Sequence, residues 1–281
     1  MLAEPDFEAF SARYKVGEAG VVRATLVGDL ETPVAAFLKL RQGHRGAAFL
    51  LESVEGGAVR GRYSMIGLDP DLVWRCRGGA AEIDRSPQGG GFVADHRPPL
   101  ESLRALIAES AIALAGDLPP MAAGLFGYLG YDMVRLMERL PEPNPDALGV
   151  PDAILVRPTV MVVFDAIRDE ISLITPVRPQ AGVSAKAAYE SALARLERAM
   201  WSLERPLPFD ERHDPTALDV HSPRSNTPQP EFEAMVARAK EYIRAGDVFQ
   251  VVLSQRFEAE FPLPAFALYR SLRRVNPAPF L

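Results

Sequence analysis

The residues best suited to chemistry are a carboxylate and a hydroxyl, Glu52 and Ser53, which follow an apolar run from Ala47 to Leu51. Such a run predicts a strand that is buried on both faces or a strand that leaves the core. The glycine pair Gly56-Gly57 then predicts a turn, because glycine accepts positive φ without a Cβ clash. A carboxylate beside a hydroxyl at a strand end can bind a ligand's ammonium group through charge-assisted hydrogen bonds. The alternative interpretation is a hairpin whose polar end is simply solvated.

A second polar row lies in the segment from Asp247 to Phe257, which alternates like a strand. Gln250, Ser254 and Arg256 fall on one face of that predicted strand. Such a face can line a cleft for a polyanionic small molecule. It can equally be the wet face of an ordinary sheet.

Cysteine and histidine do not point to catalysis. The single cysteine, Cys76, has no partnered base nearby in the sequence. The four histidines, at positions 44, 96, 213 and 221, show no local metal-ligand spacing. We therefore expect no catalytic residue and no metal ligand among these five.

Composition limits the class of protein. The chain has 281 residues, 48% hydrophobic and 24% charged, with a net charge of −6. This balance predicts a globular protein and argues against binding to nucleic acid or an anionic membrane. No apolar run approaches the length of a membrane span, and the acidic start is unlike a signal peptide. A lone cysteine fits the reducing cytoplasm.

The elements that must position these residues alternate between helices and strands. Helical spacing and capping residues predict six helices: Phe7 to Tyr14, Thr32 to Arg41, Leu100 to Leu114, Tyr131 to Leu140, Ser184 to Glu204 and Glu231 to Ala245. Apolar runs predict strands from Val21 to Val27, Arg62 to Ile66, Leu72 to Arg77, Ala80 to Asp84, Ala153 to Asp165 and Glu170 to Thr175. Several adjacent hairpins indicate an α+β fold of mostly antiparallel sheets covered by helices.

Two further patterns concern packing and domain organisation. Glycine recurs at every third position in Gly124, Gly127 and Gly130, which predicts a strand that another backbone approaches closely. Residues 206–230 contain six prolines and suit an exposed linker. We therefore predict an amino-terminal domain of residues 1–205 and a second domain beginning within residues 231–281.

Two motifs resemble one known family. Leu50-Leu-Glu-Ser53, with the Gly61-Arg-Tyr-Ser-Met-Ile-Gly67 run after it, resembles the regulatory element of anthranilate synthase component I, a chorismate-binding enzyme. Ile243 to Phe257 resembles the opening of that family's catalytic domain. The resemblance implies that Ser53 contacts the amino-acid group of tryptophan, the feedback inhibitor, and that Glu52 flanks it.

The end of the chain carries a third resemblance. Asn276 to Leu281 is similar to the family run that closes the tryptophan pocket, which implies that Pro279, Phe280 and Leu281 complete the pocket. The family fold implied is a layered sandwich of two intimately associated domains, the second of them truncated here.

The resemblance also implies a reaction. Relatives that add water to chorismate carry lysine where this chain has Gln250, and an amide cannot act as a base at neutral pH. Gln250 therefore fits the branch that converts chorismate and ammonia to anthranilate and pyruvate. The family uses Mg²⁺ and a glutamine amidotransferase partner. Its Mg²⁺ ligands and catalytic histidine are expected beyond Leu281, so we expect these 281 residues alone to be inactive.

Three other functions remain compatible with the sequence, and one of them is a remnant that only docks the amidotransferase. Aminodeoxychorismate synthase component I shares the amination step, and the motifs that separate it most cleanly are not among these residues. A stand-alone amino-acid sensor would use the same amino-terminal domain without turnover. Tryptophan binding without chorismate conversion would distinguish the sensor.

Overall fold

The chain forms two units in a computed structural model that describes residues 2–42, 46–53, 61–86, 90–142, 144–208, 223–278 and 280–281. The larger unit consists of Met1–Pro208 together with Leu272–Leu281, and the smaller unit is Phe209–Ser271. The predicted boundaries at residues 205 and 231 stay predictions.

The larger unit is built on one antiparallel sheet of eight strands. The strands are β1 (Gly20–Val27), β2 (Phe49–Leu51), β3 (Tyr63–Arg77), β4 (Ala80–Asp84), β5 (Val93–Asp95), β6 (Phe126–Leu129), β7 (Ala153–Asp165) and β8 (Glu170–Val177). Their order is β1-β8-β7-β3-β4-β5, with β2 paired to β3 and β6 paired to β7. The prediction of an α+β fold with mostly antiparallel strands is confirmed.

Four helices cover this sheet: α1 (Phe7–Lys15), α2 (Pro33–Arg41), α3 (Pro99–Ser110) and α4 (Ala185–Leu203). Helix α4 packs against β1 and β8 and also contacts α1 and α2, whereas α3 packs against β4. Three helices begin at N-capping residues, which are Asp6, Thr32 and Ser184. Each capping side chain accepts a hydrogen bond from the backbone N–H three positions later. No helix in the described part of the chain is both long enough and apolar enough to cross a bilayer.

The long strand β3 differs from the prediction, which placed two separate strands at Arg62–Ile66 and Leu72–Arg77. The structure has one strand of 15 residues. Its register against β7 shifts between Pro70 and Leu72, close to Asp69, whose φ is +48°. Local sequence around Asp69 and Pro70 reads as a break, but pairing along β7 holds the strand together as a β-bulge.

The bulge changes which side chains of β3 share a face. Before it, Met65 lies opposite Val163 of β7, and after it Trp74 lies opposite Leu155. Directly opposed residues point to the same side of a sheet. Odd-numbered residues of β3 therefore occupy this face before the bulge, and even-numbered residues occupy it afterwards. Trp74 is consequently buried in the cluster that α3 covers.

The glycine prediction is confirmed at Gly127. A Cβ atom there would lie 1.9 Å from the carbonyl oxygen of Ile154 in β7. The predicted amphipathic α-helix from Tyr131 to Leu140 is wrong, because the chain forms a short 3-10 helix, Tyr131–Leu136. Met133 is the only buried residue of that short helix, so an apolar stripe continuing to Leu140 has little core to pack against.

The smaller unit contains helix α5 (Gln229–Ala245), the short pair β9 (Arg224–Ser225) and β10 (Phe257–Glu258), and the first part of helix α6 (Ala265–Val275). Helix α5 ends at Gly246, whose φ of +81° confirms the predicted stop. The predicted strand from Asp247 to Phe257 is wrong. Among the described residues, its last residue Phe257 pairs with Ser225, and the Arg256 carbonyl accepts a hydrogen bond from the Asn226 N–H. A strand needs a neighbour to satisfy its backbone groups, and no described strand lies beside residues 247–255.

Candidate functional site

The candidate site begins where strand β2 ends, at Glu52. The Glu52 side chain is only 2% exposed, and its Oε1 accepts a hydrogen bond of 2.9 Å from Nη2 of Arg273. Burying a charge is costly unless an opposite charge compensates it. The ion pair with Arg273 supplies that compensation.

The backbone of Glu52 is bound to the last residue of the chain. The Glu52 N–H donates to the Leu281 carbonyl at 2.8 Å, and the Leu281 N–H donates to the Glu52 carbonyl at 2.9 Å. This reciprocal pair is the pattern of hydrogen-bonded residues in an antiparallel ladder. Leu281 therefore continues the sheet beyond β2 by one residue and fixes its own side chain beside Glu52.

A cavity of about 380 Å³ opens at this point. Its walls come from β2, β3, the segment before β6 and the chain end, and Glu52 and Ser53 are among their few polar residues. The other walls are mainly apolar and are formed by Leu51, Tyr63, Met65, Met121, Phe280 and Leu281. The volume lies within the range of about 300–1,000 Å³ that is typical of small-molecule sites. A mostly apolar cavity with a buried carboxylate suits an aromatic ligand that carries an ammonium group.

The apolar wall continues into the core of the larger unit. Phe49 of β2 stacks on Phe126 of β6, with ring centroids 4.9 Å apart. Both rings pack against a buried cluster that includes Met161 and Ile174, as do Met121 and Tyr63 of the cavity wall. The cavity therefore rests on well-packed strands, which keeps its shape fixed.

Arg62 forms the rim of the cavity and is committed to another residue. Its Nε donates to both carboxylate oxygens of Asp165 at 3.0 Å, and its Nη2 donates to Oδ2 at 2.5 Å. The hydrogen bonds from Arg62 hold the pKa of the Asp165 carboxyl below its usual value. The guanidinium also lies 4.7 Å from the centre of the Tyr63 ring. Arg62 is thus a pre-oriented cation at the edge of the site.

A second cavity, of about 340 Å³, adjoins the first. The two cavities share Glu52, Ser53 and Arg62 in their walls. The second one is more polar than the first and is bordered by Arg273 and by carboxylates that include Glu31. Glu52 therefore stands between an apolar compartment and a polar one.

The structure brings together four of the six residues that the sequence singled out: Glu52, Ser53, Phe280 and Leu281. Pro279 lies outside the described residues. Gln250 lies in the smaller unit, exposed and without regular secondary structure. Sequence reasoning missed Arg273, because its partner Glu52 lies 221 residues away and no local pattern reports the pair.

Possible metal ligands and the single cysteine are the other candidate groups among the residues that the structure describes. Among the residues that the structure describes, no group of three or more His, Cys, Asp or Glu side chains is arranged to hold a metal ion. These residues therefore do not fit the Mg²⁺ ion that the family resemblance implies. Burial raises the pKa of the Cys76 thiol, which disfavours the reactive thiolate.

Comparison with known proteins shows the family of the chain. A sequence profile for chorismate binding enzyme matches residues 49–281. Anthranilate synthase component 1 of Cereibacter sphaeroides is 50% identical over 277 residues, which cover 98% of this chain and 55% of that protein. The Thermus thermophilus protein of the same name is 38% identical over 261 residues, which cover 92% of this chain and 52% of the relative.

The fold comparison points in the same direction. The crystal structure of anthranilate synthase component I from Streptococcus pneumoniae superposes with a TM-score of 0.61 at 28% identity, covering 90% of this chain and 52% of that one. The chain thus spans about half the length of the curated relatives it matches. It belongs to the family of chorismate-binding enzymes, as a relative of the anthranilate synthase component 1 proteins.

Proposed function

We propose that the chain is part of an anthranilate synthase component I. The whole protein would convert chorismate and glutamine-derived ammonia to anthranilate and pyruvate for tryptophan biosynthesis, in the cytoplasm. The family match and the relatives that are 38% to 50% identical support this assignment. Tryptophan, as end product, would act back on the protein as a feedback inhibitor.

These residues would contribute the tryptophan site. One observation carries this proposal: Glu52, whose side chain is buried, lines a mostly apolar cavity of about 380 Å³ together with Ser53. A carboxylate and a hydroxyl suit the amino-acid group of tryptophan, whereas Met65, Met121 and the aromatic wall suit its indole ring. Burial of an aromatic side chain removes about 150–250 Å² from water, which supplies most of the binding energy.

Calorimetric titration of the 281-residue chain with L-tryptophan tests the site. We expect saturable binding and, for Glu52→Gln, an affinity at least about tenfold lower, because hydrogen bonds to charged groups contribute about 1.5–3 kcal/mol. Glu190→Gln is the matched control, since Glu190 pairs with Lys186 on the exposed surface of α4. Equal affinities for wild type and Glu52→Gln would show that the ammonium does not bind there.

We further propose that these 281 residues alone do not turn over chorismate. By the family resemblance, we expect the Mg²⁺ ligands and the catalytic histidine in parts of the relatives that this chain does not cover. Anthranilate is fluorescent, so incubation of the chain with chorismate, ammonia and Mg²⁺ gives a direct measurement. We expect no product above background, and any sustained, protein-dependent fluorescence would contradict this expectation.

The partner would be a glutamine amidotransferase, the second component that the name "component 1" of the relatives implies. Such a subunit would deliver ammonia from glutamine. Co-purification with the amidotransferase encoded by the same organism tests the association. If the chain were recovered without the amidotransferase when both proteins are present at micromolar concentrations, the result would contradict the proposed association.

A further inference from the structure

Two independent attachments join the carboxy-terminal segment Leu272–Leu281 to a single residue of the candidate site. The Arg273 guanidinium donates to the Glu52 carboxylate at 2.9 Å, and Leu281 exchanges two backbone hydrogen bonds with Glu52. The side chain and the main chain of Glu52 thus hold the same segment. Any change in the charge balance at Glu52 acts on this attachment.

The Arg273 guanidinium depends on Glu52 for its placement. Its side chain is 30% exposed, whereas that of Glu52 is 2% exposed. Its Nε is covered and has no hydrogen-bond partner among the described residues. The ion pair is therefore the polar contact that the structure shows for this guanidinium, and loss of it would leave a covered N–H group and a weakly held charge.

A ligand's ammonium in the apolar cavity would interact with the same carboxylate. Glu52 borders both the apolar cavity and the polar one, and Arg273 belongs to the wall of the polar cavity. The neighbouring cation Arg62 is unsuited to release Glu52, because it is already bound by three hydrogen bonds to Asp165. The Glu52 carboxylate would then interact with both Arg273 and the ligand's ammonium.

Two cations that share one carboxylate weaken each other. Each draws the negative charge and the lone pairs of Glu52 toward itself, and the two positive charges repel across a region of low dielectric. By linkage, the bound ammonium weakens the Arg273–Glu52 ion pair by a certain factor. Arg273 weakens the binding of the ammonium to Glu52 by the same factor.

We propose that Arg273 determines how strongly the cavity selects ligands with an ammonium group, by competing with that group for the Glu52 carboxylate. This inference rests on the proposed tryptophan site and specifies how that site is tuned. Its consequence is that an amino-acid ligand loosens the segment Leu272–Leu281, whereas a ligand of the same shape without the ammonium does not.

Calorimetry with two ligands and three proteins tests the competition. The ligands are L-tryptophan and indole-3-propionate, which keeps the indole and the carboxylate but lacks the ammonium. The proteins are wild type, Arg273→Met and Arg273→Lys. We expect Arg273→Met to bind tryptophan about tenfold more tightly than wild type, a size typical of coupled neighbouring groups, with less than about a twofold change for indole-3-propionate. Arg273→Lys retains the charge and should keep the wild-type ratio.

The outcomes separate the two proposals. Absence of tryptophan binding to wild type refutes the tryptophan site and the competition together. Binding to wild type with the same ratio of the two affinities in Arg273→Met refutes the competition alone. A selective loss of tryptophan affinity in Arg273→Met also refutes it, because the guanidinium would then support the ammonium instead of opposing it.

A second measurement uses only the wild-type protein, in case Arg273→Met does not fold. Hydrogen exchange of the Leu281 amide, which donates to the Glu52 carbonyl, is followed with each ligand at saturation. We expect this amide to exchange several-fold faster with tryptophan than with indole-3-propionate. Equal exchange with both ligands would overturn the inference.

Discussion

Replacement of Gly127 by alanine tests how tightly β6 is held against β7. The new Cβ would lie 1.9 Å from the Ile154 carbonyl oxygen, whereas ordinary contacts begin near 3.4 Å. The two backbones must therefore move apart by roughly 1.5 Å. Added to the usual N···O distance of about 2.9 Å, this displacement breaks the hydrogen bonds between the strands. Four residues of β6 are paired with β7. Loss of two or three net hydrogen bonds at about 1 kcal/mol each predicts a decrease of about 2–3 kcal/mol in the free energy of unfolding.

Urea unfolding followed by tryptophan fluorescence measures this effect. Trp74 is buried in the core of the larger unit, so its emission reports on the unfolding of that unit. We expect Gly127→Ala to lower the midpoint of the transition while leaving the m-value unchanged, because the same surface is exposed on unfolding.

Gly116→Ala is the matched control. A Cβ atom at Gly116 would meet nothing within 4 Å. Its free energy of unfolding should stay within about 0.5 kcal/mol of the wild-type value, as for most surface substitutions. If Gly127→Ala were no less stable than Gly116→Ala, the close approach of the two strands would have no energetic weight and the reasoning would be wrong.

Three further predictions concern charge and polarity in the larger unit. The hydrogen bonds from Arg85 hold the pKa of Glu109 at about 2, below its usual 4.5. The stability that these hydrogen bonds give the folded state should be complete above pH 4.5 and should disappear as the pH falls to about 2. In urea unfolding, the free energy of unfolding of Arg85→Gln should decrease less over that pH interval than that of the wild type. Ser102→Ala removes the acceptor of the buried Trp74 indole N–H at 2.9 Å and should lower the free energy of unfolding by about 1–3 kcal/mol, measured by the same method. Burial lowers the pKa of Arg178, so Arg178→Met should unfold at an equal or higher urea concentration; a clear decrease would contradict a desolvation cost at this position.

Much of the fold follows from local sequence. Capping residues such as Ser184 and stop residues such as Gly246 mark helix ends because they satisfy backbone groups locally. The strand that ends just before Glu52 was also predictable, since its apolar run stops at two polar residues, although its side chains are only partly buried. In each case the deciding interactions lie within a few residues of chain.

The errors arise where distant partners decide. Pairing with β7 carries β3 across Asp69 and Pro70, and no local pattern reports that pairing. The segment from Asp247 to Phe257 alternates like a strand, yet alternation cannot supply the neighbouring strand that it needs. Arg273 was overlooked because its partner, Glu52, lies 221 residues away in the sequence.

The candidate site shows the same division. The types of Glu52 and Ser53 and their position at a strand end indicated the chemistry. The cavity itself depends on Met121 and Tyr63, which come from separate parts of the chain. Shape is a tertiary property, so the sequence indicated which group could be bound but not the walls that surround it.

The shift of register in β3 makes chain length critical at one place in the molecule. Removal of the single residue between Pro70 and Leu72 would move each side chain that follows it to the opposite face of the sheet. Trp74 and Cys76 would then face away from α3, and charged Arg75 would enter the space they leave. Homologues and engineered variants should therefore accept insertions and deletions in the connections between strands far more readily than in the middle of this strand.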